Sequence, residues 1–247
     1  MKPPSPAPRA LLAAALALAG VLAGPASAAP PPAEPLLERL ARAAPGLDRK
    51  VLALATRAVT CTRRQPGAEP PPSTLSVIDF SRPSTEPRLW VFDLASHALL
   101  FEELVAHGRN TGENLATRFS NRSGSNMSSL GTFRTAESYV GANGYSLRLD
   151  GLEPGINDLA RDRAIVIHGA PYVGPEIARA QGRLGRSLGC PAVRPAIARQ
   201  LIDRIRGGSV VFAYYPDDDW LQRSRLLDGD CGAARHAGTQ APATGGS

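Results

Sequence analysis

Between residues 74 and 215 the chain is built from six short runs rich in β-branched and aromatic residues. They are TLSVIDF (74–80), RLWVFDL (88–94), ALLFEELVAHG (98–108), YSLRLDG (145–151), RAIVIHG (163–169) and SVVFAYY (209–215). Gly, Pro, Asn and Ser separate them, which is the punctuation of strands rather than of helices. The spacing predicts a mainly β domain with helices at its flanks. One helix is expected inside it, over 194–208. There Pro195 suits the first helical position, Ile197, Leu201, Ile202 and Ile205 form one stripe, and Gly207-Gly208 ends the turn. The polar stretch 109–139, rich in Gly, Ser and Asn, reads as a long loop of the kind that carries function.

Ahead of this domain the pattern is different. Residues 1–28 combine Lys2 and Arg9, an apolar run from Ala10 to Leu22 and a small-residue Ala26-Ser27-Ala28 site. These are the parts of a secretory signal peptide, and the expected location is periplasmic or secreted. The apolar run falls short of the roughly 20 residues needed to span a bilayer. Residues 29–73 read as a Pro/Ala-rich start, two short helices broken at Pro45-Gly46, and a linker, RRQPGAEPPPST (63–74). The domain is expected over 74–222, followed by a low-complexity tail over 223–247. Cleavage would leave roughly 220 residues, enough for one domain with a substantial core.

The formal charge of +6 is carried almost entirely by arginine, Lys2 and Lys50 being the only lysines. Those arginines are scattered and aromatics make up 5% of the chain, so nucleic acid is not the expected partner. His97, His107, His168 and His236 form no H-x-H or H-x-x-x-H pair, so no metal or other cofactor is expected. The Asp217-Asp218-Asp219 run reads as a solvated turn.

The chemistry concentrates at GRLGRSLGCPAV (182–193), where Ser187 sits in a G-x-S-x-G string and Cys190 follows three residues later. A nucleophilic serine on that string needs a strand leading in and an acid and a histidine downstream. EIARAQGRLG (176–185) is not a strand, and the only downstream histidine is His236 in the tail. A cysteine needs a base, since its unperturbed pKa is about 8.5. His168 closes an apolar strand 22 residues before Cys190 and is followed by Gly169. Pro191 has no N–H, so an oxyanion at this site would draw on the amides of Gly189 and Cys190 or on another loop. The start of the following helix could add positive dipole if the chain folds back toward the sulfur. Three cysteines in an oxidising compartment leave two readings open: Cys190 pairs with a partner, or Cys61 and Cys231 pair and Cys190 stays reduced.

AIVIHGA (164–170) and GRLGRSLGCPAV (182–193) resemble the His-Gly and Ser-x-Gly-Cys motifs of the cysteine L,D-transpeptidases of bacterial cell walls, in particular the murein L,D-transpeptidase catalytic domain branch. Other segments between about 51 and 215 are similar as well, among them VIDFSRPSTEPRLWVFDL, LVAHGRNTGENLATRFSN and GYSLRLDGLEPGIND. The resemblance implies a barrel- or sandwich-like β fold and no cofactor. Its partner would be peptidoglycan stem peptides, attacked through a thioester acyl-enzyme. By position, Cys190 would be the nucleophile, His168 the base, the Gly169 carbonyl the group that orients the imidazole, and the Gly189 and Cys190 amides the oxyanion donors. SSLGTF (128–133) falls where the family begins a structural strand.

Leu188 departs from the family's usual Ser-His-Gly-Cys. That departure keeps a non-catalytic peptidoglycan-binding module as an alternative reading, and water as the acyl acceptor would make the chain an L,D-carboxypeptidase. Arg183, Arg186, Ser187, Tyr145 and His107 are the candidates for substrate contact. With Cys190 assigned to chemistry, Cys61 and Cys231 are left to pair.

Overall fold

A computed structural model of the chain describes residues 34–65 and 71–228, together with Met1 and Cys231. Apart from Met1 the expected leader over 1–28 lies outside the described residues, as do 29–33 and 232–247 of the expected tail. Two helices open the described chain, α1 (Leu36–Ala43) and α2 (Arg49–Arg64), and the break falls at Pro45-Gly46 as the sequence indicates. The Asp48 side chain caps α2 by accepting from the amides of Lys50 (2.7 Å) and Val51 (3.2 Å), which satisfies donors a helix start leaves orphaned. Along α2 the residues Val51, Leu52, Ala55, Ala58, Val59 and Thr62 are buried at helical spacing, and this stripe lies against the sheet.

The sheet has eight strands in the order β3-β2-β1-β8-β4-β5-β6-β7: β1 (Thr74–Asp79), β2 (Leu89–Asp93), β3 (Leu99–Glu103), β4 (Gly131–Gly141), β5 (Gly144–Gly151), β6 (Val166–Gly169), β7 (Ala192–Val193) and β8 (Val210–Tyr214). β1 runs parallel to β8 and antiparallel to β2, and all six of its residues are buried. The apolar Leu75, Val77 and Ile78 are buried together with the polar Thr74, Ser76 and Asp79, so the strand is covered on both faces. The helix α4 (Pro195–Ile205) packs on β6, β5 and β1 and buries Ala198, Leu201, Ile202 and Ile205.

The two ends of the sheet approach each other. Just past β3, Ala106 pairs with Ala192 of β7, its amide donating to the Ala192 carbonyl at 2.8 Å and its carbonyl accepting at 3.3 Å. The result is a nearly closed, barrel-like β sheet with five helices among the described residues, and the fold expected from the sequence is present. The residues expected to do chemistry all lie next to this seam.

Several expectations change in detail. The run 98–108 is a strand only as far as Glu103, because 104–108 leaves the β2 ladder to meet β7 and the 187 region. Part of the expected loop 109–139 is the long strand β4. Its first half is buried and its second half projects into an exposed hairpin with β5, so its polar residues hid it. The Asp217–Asp219 run is no plain turn. The Asp217 side chain accepts from the Trp220 amide (2.8 Å) and starts α5 (Asp218–Arg223). Trp220 is buried against Phe212, and its ring N–H donates to Glu153 at 3.0 Å. Leu226 and Leu227 are buried too, so the packed chain continues past residue 222, where the tail was expected to begin. Cys61 and Cys231 form a disulfide that joins the end of α2 to the chain beyond α5, and Cys190 is a free thiol.

Candidate active site

β6 carries the site's first half. His168 pairs with Ser146 of β5 on one side and with Ala192 of β7 on the other. Gly169, at the end of the strand, lies under α4: a Cβ there would sit 2.9 Å from the Ala198 Cβ, so only glycine lets the helix come this close. The first turn of α4 therefore abuts Gly169, where the Pro195 backbone meets that glycine. The Nδ1 of His168 lies 3.0 Å from the Gly169 carbonyl, an acceptor only. That bond fixes the proton on Nδ1 and leaves Nε2 as the basic nitrogen of the neutral ring.

Cys190 supplies the second half. Its sulfur accepts the Val166 N–H at 3.4 Å, and its S–H points to the Ala164 carbonyl at 3.6 Å. The sulfur thus docks on the backbone that enters β6, while two residues later the chain pairs with the histidine. Both groups are closed in: 8% of Cys190 and 4% of His168 is exposed. A groove of about 660 Å³ opens elsewhere, lined by residues of β3 and α4 and not by Cys190 or His168.

The 187–190 turn is held by Ser187. Its Oγ donates to the Cys190 carbonyl (2.6 Å) and accepts the Gly189 N–H (3.0 Å). The serine of the G-x-S-x-G string is therefore a staple for the turn that presents the cysteine. Gly189 has φ +127, and a Cβ there would lie 2.8 Å from the Met127 carbonyl oxygen, so the position requires glycine. Its amide is engaged by Ser187, whereas the Cys190 amide faces its own sulfur. Leu188, 65% exposed, projects from this turn.

Burial pushes the Cys190 thiol up from its ordinary value, against the pull of the Val166 N–H and the Arg163 charge. Burial also holds His168 below its ordinary value, with the Gly169 carbonyl working the other way. Both shifts disfavour a thiolate–imidazolium pair in the free protein. Each shift favours the uncharged form of its group.

His107 stands across the seam and is equally buried, yet both its nitrogens are committed. Nδ1 accepts from Arg88 at 2.8 Å and Nε2 donates to the Gly112 carbonyl at 3.2 Å. Burial first, and the Arg88 charge second, lower its pKa to about 4. It braces the loop after β3 and has no nitrogen left for a substrate. Tyr145 is drawn to α4, its hydroxyl bonded to Asp203 (2.5 Å) and Ser138 (3.1 Å) and its ring under Arg199. As the strand neighbour of Ser146 it points to the opposite face of β5. Arg183 and Arg186 converge on one carboxylate, that of Glu113, at 3.1 and 2.5 Å.

Two residues near the sulfur had no signal in the sequence. Tyr172, in the loop after β6, packs where a side chain on Gly185 would sit. Burial, and then the Cys190 charge, push its hydroxyl up to about 12, so it remains a hydrogen-bond donor. Arg163 precedes β6. Only their positions at the two flanks of the His168 strand could have marked them.

The L,D-transpeptidase catalytic domain family matches residues 43–214, and the chain belongs to that family. No curated protein sequence matches the chain. Among solved structures, an L,D-transpeptidase from Mycobacterium smegmatis is 15% identical, with a TM-score of 0.36 over 58% of this chain and 59% of that one. The helical cell shape determining protein Pgp2 from Campylobacter jejuni is 13% identical, with a TM-score of 0.39 over 59% and 49%. An L,D-transpeptidase from Xylanimonas cellulosilytica is 15% identical, with a TM-score of 0.36 over 71% and 77%. The chain spans about three-fifths of the first of these and half of the second.

Proposed function

We propose that this member of the L,D-transpeptidase catalytic domain family is an exported acyltransferase that acts on peptidoglycan stem peptides, with Cys190 as nucleophile and His168 as base. The observation that carries the reading is a free thiol and a half-committed imidazole on adjoining segments. The sulfur rests on the backbone that enters β6, the strand ends in His168, and the Gly169 carbonyl occupies Nδ1 so that Nε2 is the nitrogen able to take a proton. The leader over 1–28 would carry the chain to the compartment where peptidoglycan lies, and the catalytic domain would begin near residue 74.

The reaction runs in two acyl-transfer steps. As the sulfur attacks the carbonyl between the L-centre of a diamino acid and the terminal D-amino acid, its proton passes to Nε2 of His168. The oxyanion draws on the Cys190 amide, with the Gly189 amide available only if it leaves Ser187. The C–N bond then breaks, His168 returns the proton to the leaving amine, and a thioester on Cys190 remains. An acceptor amine attacks the thioester, the C–S bond breaks, and the thiol is restored. Water in place of the amine would make the same chain a carboxypeptidase. Arg183 and Arg186 would hold a substrate carboxylate, which must displace Glu113 to do so.

Incubation with a carbapenem and intact-mass measurement tests the reading. A stoichiometric adduct that is lost in the Cys190→Ala variant supports it. An unmodified wild-type protein under conditions where the fold is intact points instead to a non-catalytic binder.

A further inference from the structure

Arg163 lies one residue before Ala164, whose carbonyl faces the Cys190 sulfur and whose backbone is bent into the left-handed region at φ +54. The guanidinium makes four hydrogen bonds, and every acceptor is neutral. Nη1 donates to the Ser120 carbonyl (2.6 Å) and to Ser129 Oγ (2.5 Å), and Nη2 donates to the Met127 carbonyl (2.6 Å) and to Ser125 Oγ (3.2 Å). Among the described residues it has no carboxylate partner. Met127 connects it to the nucleophile's turn, because the same carbonyl oxygen that receives Nη2 lies against Gly189. Ser128, the next residue, donates to the Gly189 carbonyl at 3.0 Å.

We propose that Arg163 is a positioning residue for the nucleophile, a cation locked behind the 187–190 turn that stabilises the Cys190 thiolate as it forms. This rests on Cys190 being the nucleophile, and it assigns the charge that offsets burial of the developing anion. A half-buried cation is costly when its bonds go only to neutral oxygens, and a compensating anion nearby relieves that cost. The other buried or half-buried arginines around the seam are already answered. Arg186 pairs with Glu113, Arg194 pairs with Glu103, and Arg88, in the field of Asp79, is tied to His107 and to backbone carbonyls. His168 and His107 are neutral, and Tyr172 keeps its proton. The Cys190 sulfur is the group near Arg163 that can supply the missing negative charge. The mutual effect runs both ways, since each group favours the charged form of the other.

The test reads the thiol directly and needs no substrate. Below the thiol's pKa, the rate of alkylation by iodoacetamide follows the thiolate fraction. In Arg163→Gln the rate at pH 7.5 should fall about tenfold, the effect of one pKa unit, and the whole rate–pH curve should move to the alkaline side with its slope unchanged. Arg163→Lys keeps the charge and should stay within about threefold of wild type. If the Gln variant does not fold, citrulline at position 163, isosteric and neutral, keeps most of the N–H donors and should show the same tenfold loss. Wild-type alkylation in a folded neutral variant overturns the proposal, as does an equal slowing in the Lys and Gln variants, which would mark a purely structural role. Neither result depends on turnover, so failure here is distinct from failure of the Cys190 mechanism, which the carbapenem adduct reads.

Discussion

His107 and His168 lie on the two segments that flank β7 where the sheet closes, similarly buried and oppositely used. On the His107 side every polar atom has a partner: Arg88 fills Nδ1 and itself donates twice to the Val105 carbonyl, and the Gly112 carbonyl takes Nε2. On the His168 side one nitrogen is tied to Gly169 and the other is left basic. The difference separates a brace from a reagent. Burial lowers the basicity of both rings, but only the ring with an uncommitted nitrogen can exchange a proton with a neighbour. The surrounding packing differs in the same sense. Small side chains and glycines line the seam, among them Ala106, Ala170, Ala192 and Gly169, whereas the main core is filled by Trp90, Phe92, Phe212 and Leu52. The filled core supplies stability, and the seam keeps backbone close to the sulfur.

Exchanging the two histidines for alanine should break the comparison most sharply. His168→Ala should lower kcat on a stem tetrapeptide by about 10²- to 10⁴-fold, the range for removing a general base, with little change in Tm. His107→Ala should do the reverse, costing about 1–3 kcal/mol of stability by stranding Arg88 and Gly112, while the folded fraction turns over within a fewfold of wild type. Equal kinetic losses in both would erase the distinction.

The pH dependence sharpens it. A histidine whose folded pKa is depressed adds stability that is complete above its unfolded value near 6.5 and is lost as pH falls through the folded value. For His107 that window runs from 6.5 down to about 4 and involves on the order of 3 kcal/mol. Urea titrations should therefore show stability falling below pH 6.5, and His107→Gln should flatten that slope. In the proposed mechanism His168 takes a proton and must start neutral, and its pKa lies below the ordinary value. The acid limb of kcat/KM should accordingly have its midpoint below 6.5.

Gly169→Ala is a smaller perturbation. Its new Cβ meets Ala198 on α4, so the helix must shift, with about 1–3 kcal/mol lost and kcat reduced together with it. The smallest effect is expected at Glu113. Its side chain is 71% exposed, while those of Arg183 and Arg186 are 29% and 23% exposed, so the carboxylate is the exchangeable partner. Glu113→Gln should lower KM for a carboxylate-bearing stem by a fewfold and leave kcat unchanged. A raised KM would show that the arginines need Glu113 to hold them in place.

The seam also shows what the sequence could and could not reveal. β1, β2, β5 and β8 and the helix α4 were legible because their apolar residues follow a single period. β6 was legible too, inside the apolar run 163–169, but β7 has two residues, too short for any period, so the closure of the sheet had no local signal. Cys190, His168 and Gly169 were legible as residue types in a motif, and the structure puts the thiol and the imidazole on neighbouring segments. Ser187 and His107 looked like candidates for substrate contact for the same reason, but their roles depend on partners supplied by the fold. His107 is bound by Arg88, 19 residues away in sequence. Glu113 lies 73 residues from Arg186 and could not be foreseen as its counter-ion. Arg163 was invisible because nothing about a lone arginine before a strand indicates that its acceptors will all be neutral.

The most direct test compares wild type with Cys190→Ala on purified muropeptides carrying a tetrapeptide stem and a labelled D-amino acid acceptor, with product masses read over time. The account predicts that wild type exchanges the terminal residue through a transient species carrying the acyl group on Cys190, and that the variant yields neither exchange nor adduct. Exchange by Cys190→Ala at the wild-type rate would contradict it.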